Sequence, residues 1–88
     1  MLTYIHIYFL LTDEQYNKLT TQQRDILGYI AKYGSITPMD AFAYLGITKL
    51  STRISEMKVI GISFSQVYES GVNRSGRKVH YMRYGRAA

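Results

Sequence analysis

The spacing of apolar and polar residues changes character three times along the chain. Residues 1–11, MLTYIHIYFLL, are strongly apolar, and the polar run TDEQ follows at once. Thr12 and Gln15 then form a capping pair, a hydroxyl three residues ahead of an amide that can reach back, which predicts a short helix over 13–19. Thr20 and Gln23 repeat the signal ahead of QQRDILGYIAKYG. There Ile26, Leu27, Ile30 and Tyr33 fall on one helical face, and Gly34 supplies the left-handed residue that ends a helix. A helix over 21–33 is expected. Thr37 followed by Pro38 starts another, because proline in the first turn gives up only an amide that has no intrahelical partner. Asp40 adds a favourable charge there. This helix, about 38–45, offers Met39, Ala41, Phe42 and Leu45 to a core and stops at Gly46. Thr48 is expected to cap a third main helix over 49–60, with Leu50, Ile54 and Met57 as its inward stripe and Gly61 at its end.

Beyond Gly61 the period becomes two, in ISFSQVYE and again in RKVHYMRY, with the turn-rich SGVNRSG between them. Such alternation around a turn predicts a β-hairpin. Ile62 and Phe64 share a face of its first strand, and in the second Val79 and Tyr81 alternate with His80 and Met82. Asn73, Arg74 and Gly76 form the tip. No repeat or linker divides the chain further.

Helix, helix, turn, helix and hairpin is the element order of a winged helix-turn-helix domain, an α+β fold. The run TTQQRDILGYIAKYGSITPMDAFAYLGITKLSTRISEMKVIGISF resembles the small winged helix-turn-helix domain that recurs in bacteriophage and prophage proteins. The likeness lies in ITPMDA, the LGI turn, the LSTRISEMK helix and the final glycine before a strand, and it covers about residues 19–84. It implies a phage or prophage DNA-binding protein. The expected organisation is an apolar N-terminal arm, 1–11, followed by the winged domain, 12–86.

Charge sharpens this expectation. Residues 1–48 carry three basic and four acidic side chains, whereas residues 49–88 hold eight Lys or Arg against only Glu56 and Glu69. A chain with net charge +5 whose excess is gathered in one half has the footprint of a surface that meets a polyanion. Leu50 follows Thr48 by only two residues, closer than the first core residue of familiar bacterial regulators, so contact positions are assigned from helical geometry. With Leu50, Ile54 and Met57 inward, the outward arc holds Thr48, Ser51, Thr52, Ser55, Glu56 and Val59, flanked by Lys49, Arg53 and Lys58. Hydroxyls can touch base edges, and long basic chains can reach guanine or phosphate. Arg53 borders the core stripe and is read equally as a contact or as a brace paired with Asp25 or Asp40. Glu56 would repel phosphate unless it accepts from a cytosine amine. Arg74, Arg77 and Lys78 crowd the hairpin tip, which suits backbone or minor groove.

Other classes find less support. His6 and His80 lack a partner at metal-ligand spacing, Asp13 and Glu14 complement a helix dipole, and no phosphate loop or nucleophile motif is present. Neither an enzyme nor a cofactor or small-molecule substrate is expected. With no cysteine, disulfides and thiolate zinc sites are excluded, which fits a cytoplasmic protein. The apolar arm is much shorter than the roughly 20 residues of a membrane span, and it lacks the features of a secretory signal. Its apolar side chains, Leu2, Ile5, Ile7, Phe9, Leu10 and Leu11, must still be covered. Pairing across a homodimer through Ile5, Ile7, Phe9 and Leu11 is one expectation, and a strand or extra layer on the same domain is the other. The expected partner is double-stranded DNA. The alternatives are a protein-interaction module on the same fold, or single-strand or RNA binding by the aromatic and basic stretch RKVHYMRYGR.

Overall fold

The computed structural model describes residues 3–87; Leu2 of the arm lies outside them. The elements in chain order are α1 (Tyr4–Phe9), α2 (Asp13–Asn17), α3 (Thr21–Tyr33), β1 (Ser35–Ile36), α4 (Pro38–Leu45), α5 (Leu50–Ile60), β2 (Phe64–Val72) and β3 (Lys78–Arg86). Of the helices, α3, α4 and α5 correspond closely to the three main helices expected, and α2 stops two residues earlier than its pattern implied.

Four helices begin with reciprocal capping boxes: Thr3 with His6, Thr12 with Gln15, Thr20 with Gln23, and Thr37 with Asp40. Each satisfies two amides that the helix leaves unbonded, and loss of such a hydroxyl typically costs about 1 kcal/mol. The first box explains why the apolar arm is a helix and not a strand. His6 Nδ1 accepts from the Thr3 amide at 3.1 Å, replacing the usual Glu or Gln, so the sequence signal is easily passed over. The other ring nitrogen, Nε2, lies 3.0 Å from Asp13 Oδ1, in a geometry too bent for a good hydrogen bond. The His6 ring also stacks on Tyr16 at 4.2 Å.

Ile5 and Leu11, two of the four side chains offered to a homodimer, join the chain's own core, in line with the other expectation of an extra layer on the same domain. Phe9 is partly covered, with its ring 5.9 Å from that of Phe64, while Ile7 stays 65 % exposed. The arm is thus a layer over the rest of the fold. Its last strand residue secures it there: Arg86 donates to the Tyr8 carbonyl at 3.2 Å and lies over the Tyr8 ring.

Ile26, Leu27 and Ile30 on α3, Ile36 on β1, and Ile54 and Met57 on α5 are the largest fully buried side chains. Full burial of each is worth about 1.5–3 kcal/mol. From α4 the core takes Ala41 and part of Leu45, but Met39 and Phe42 point outward, 71 % and 61 % exposed. A two-turn helix can bury only one narrow stripe, and Ala41 lets α4 approach closely along it.

The sheet has the order β1-β3-β2, antiparallel throughout. The hairpin was expected; β1 was not, since two residues carry no readable period. It pairs Ser35 with Gly85 and Ile36 with Tyr84. A side chain at Gly85 would meet Ser65 Oγ at 2.9 Å and the Gly34 carbonyl at 3.1 Å, so the central strand must be bare there.

Leu10, which ends α1, has φ 56° in the left-handed region and is 85 % exposed. A side chain in that conformation costs about 1–2 kcal/mol that glycine avoids. We predict that Leu10→Gly stabilises the protein by about 1 kcal/mol, raising the thermal midpoint by about 4–8 °C for a domain of this size; an unchanged or lowered midpoint in a melt would contradict this.

Candidate nucleic-acid interface

Helix α5 presents a polar outer face because its inward stripe leaves no other arrangement. Leu50, Ile54 and Met57 are buried as the spacing requires, and Lys49, Ser51, Thr52, Ser55 and Lys58 are exposed. Thr48 is exposed just ahead of the helix but is not its cap. That position falls to Lys49, and no side chain bonds the first-turn amides, in contrast to the four boxed helices. Those amides are left to water or to an anion.

Arg53 and Glu56 are tied to each other. Arg53 Nη1 lies 3.4 Å from Glu56 Oε1, and the same oxygen accepts from Gln23 Nε2 on α3 at 3.1 Å. The brace expected from Asp25 or Asp40 is therefore supplied by Glu56, one turn along the same helix. Half-buried Arg53 neutralises the carboxylate that would otherwise repel phosphate. Gln23, spent in sequence terms on its capping box, also fixes the rotation of α5 on α3.

At the hairpin tip Asn73 makes the turn. Its Oδ1 accepts from the Ser75 amide at 3.0 Å, the Ser75 hydroxyl at 2.8 Å and the Arg77 amide at 3.0 Å. Gly76 takes the positive φ of 81° that the turn requires. The side chains of Arg74, Arg77 and Lys78 are left exposed around this frame. Lys58 meets the hairpin nearer its base, where its Nζ donates to Gln66 Oε1. This contact bridges α5 to the base of the hairpin.

The model of the winged helix-turn-helix domain matches residues 21–85. The chain belongs to this family. No curated protein and no solved structure gives a match. Winged helix-turn-helix domains are in general DNA-binding. In this one α4 and α5 form the helix-turn-helix and β2 with β3 forms the wing. Among the described residues no helix is long and apolar enough to cross a membrane.

Not every basic residue of the winged domain is available to a ligand. Arg83 Nε donates to both Glu69 oxygens, at 3.0 and 2.9 Å, and its Nη1 donates to Ser35 Oγ at 3.0 Å, so it fastens the wing to β1. This hydrogen bond holds the Glu69 carboxyl below its usual range and raises the Arg83 guanidinium. Arg86 is taken by Tyr8. Arg24 donates to the Tyr16 carbonyl at 3.2 Å and lies over the Tyr16 ring, joining α2 to α3. By contrast Lys49, Lys58, Arg74, Arg77 and Lys78 form no ion pair among the described residues. An open groove of about 720 Å³, lined by Tyr4, Tyr16, Tyr29, Tyr33 and Tyr44 among others, is shared by α1, α2, α3 and α4 and contains no residue of α5 or the wing.

A carboxyl whose folded-state pKa is lowered contributes stability above its unfolded pKa, lost as the pH falls through the folded value. The Glu69–Arg83 contribution is therefore present at neutral pH and lost as the pH drops below about 4.5. We predict that Glu69→Gln lowers the melting midpoint at pH 7 and has a smaller effect at pH 3. Arg74→Ala should leave the midpoint unchanged at both. Equal losses for Glu69→Gln at the two pH values would show that the pair is inert.

Proposed function

We propose that this domain binds double-stranded DNA, sequence-specifically or architecturally, with α5 in the major groove and the wing tip on the backbone or minor groove. The observation that carries the reading is that, among the described residues, five cations without an acidic partner gather on α5 and the wing, Lys49 and Lys58 beside the α5 hydroxyls and Arg74, Arg77 and Lys78 on the wing. The hydroxyls of Thr48, Ser51, Thr52 and Ser55 offer donors and acceptors to base edges, while the cations supply the charge that binds any sequence. Arg53, already committed to Glu56, acts as a positioning residue. The resemblance of residues 19–84 to phage and prophage domains supports reading this as DNA binding by a phage or prophage protein, and transcription regulation in the cytoplasm is the role we propose for it. A homodimer through the arm would have to use Ile7 and the open flank of Phe9, because Ile5 and Leu11 are inside the fold.

A second reading, a protein-interaction module, is favoured by exposed Met39 and Phe42 on α4, apolar side chains that DNA does not need. Salt separates the two. Neutralising about 4 or 5 phosphates predicts a slope of about −3.5 to −4.5 for log affinity against log salt with mixed-sequence duplex. Arg74→Ala with Arg77→Ala should weaken all sequences alike and flatten the slope by about 0.9 per lost contact. Thr52→Ala or Ser55→Ala should change site preference more than total affinity. A slope near zero would remove the DNA reading and leave the protein partner.

A further inference from the structure

Strand alternation divides the wing into two sides. Glu69, Tyr81 and Arg83 occupy one, where the Glu69–Arg83 pair faces β1. Gln66, Tyr68 and Val72 share the other with Lys78, His80 and Tyr84. Tyr84 is buried and Gln66 receives Lys58 from α5, so this second side faces the core at its base and continues outward from the recognition helix. No acidic residue stands on it.

Two residues beyond Gln66, about 7 Å along the strand, Tyr68 stacks on His80 across the hairpin. The ring centroids are 5.5 Å apart and the planes lie within 6° of parallel. Both residues are exposed, Tyr68 by 68 %. The order outward from α5 is therefore a cation at Lys58, a flat aromatic pair, a second cation at Lys78, and then the basic tip.

We propose that the Tyr68–His80 pair is itself a DNA-contacting shelf, against which the deoxyriboses and base edges of the strand leaving the α5 groove pack. Lys58 and Lys78 hold the phosphates on either side. The inference rests on the duplex-binding reading and assigns to it two residues outside the α5 and tip positions. A ring packed on a deoxyribose carries no sequence information, so the shelf adds affinity while the α5 hydroxyls supply preference. Charge favours DNA over a protein at this place, because the side is cationic at both ends of the rings and bears no carboxylate.

A cross-strand ring pair also stiffens a hairpin by itself, so the experiment must separate contact from packing. Full-length protein is titrated with a mixed-sequence duplex of about 20 base pairs, and with one strand of it alone, as wild type, Tyr68→Leu and Tyr68→Phe, alongside Lys58→Ala and Arg74→Ala. Tyr68→Leu should weaken binding about fivefold, less than the loss of a base-stacking aromatic on single strands, because a sugar or base edge covers less of the ring. Tyr68→Phe should stay within about twofold, and neither should alter the salt slope, since no phosphate-neutralising charge is removed. Ultraviolet irradiation of wild type with an iodouracil-substituted duplex should cross-link Tyr68 or His80. Unchanged affinity of folded Tyr68→Leu, with Lys58→Ala and Arg74→Ala still weakened, would overturn the shelf and leave the duplex reading intact. If Tyr68→Leu loses its circular dichroism, the wild-type cross-link decides, and its absence from both residues overturns the proposal. Failure of wild type to bind duplex overturns the function together with the shelf, and tighter binding of Tyr68-dependent single strand than of duplex overturns the duplex assignment of the rings.

Discussion

Everything in this fold hangs on burying one face of α3. Ile26, Leu27 and Ile30 have no exposed surface, and the elements around them are placed by the need to cover that stripe. α5 does so with Ile54 and Met57, β1 with Ile36, and α1 with Ile5. Removing a large side chain from such a centre leaves a cavity that costs about 2–5 kcal/mol, a large share of the stability of a small domain. The outer face of α5 is polar for the same reason. Once Leu50, Ile54 and Met57 are committed inward, the helical period leaves Ser51, Thr52 and Ser55 outward.

The basic half of the chain is divided by function through pairing. Arg83 and Arg86 are structural, one holding the wing to β1 through Glu69 and Ser35, the other holding α1 to the end of β3. Arg53 is retained by Glu56, which Gln23 anchors in turn. Five cations are left, on the edge of α5 and around the wing tip, and Lys58 reaches the base of the wing at Gln66. The molecule is elongated, 47 × 25 × 22 Å. A projecting hairpin with few core contacts is an expensive feature to keep straight, and the Glu69–Arg83 bridge and the Tyr68–His80 stack lie on its opposite sides.

Much of the site could be read in the residues. The capping boxes at Thr12, Thr20 and Thr37, the glycines that stop α3, α4 and α5, and the i, i+4, i+7 stripe of α5 are local signals, because a helix satisfies its own backbone within one stretch of chain. The switch to period two after Gly61 marked the hairpin equally well, and a charge count located its basic tip. These local rules, with the resemblance of residues 19–84, were enough for the fold class and for the outward positions of α5.

What tertiary structure alone decided were the matters of partner. Two residues of β1 have no period, and their strand exists because β3 offers an open edge. The T-x-x-H box that makes α1 a helix depends on a buried histidine ring, and whether Ile5 faces a second copy or its own core depends on what α3 leaves uncovered. Met39 and Phe42 are apolar yet outside, since the contact of α4 with its neighbours is only as wide as Ala41. An arginine in sequence is one positive charge wherever it stands. Only the placing of Glu56, Glu69 and the Tyr8 carbonyl beside three of them separates the charges that hold the fold from those free to meet DNA, because pairing is a property of distance in space and not of distance along the chain.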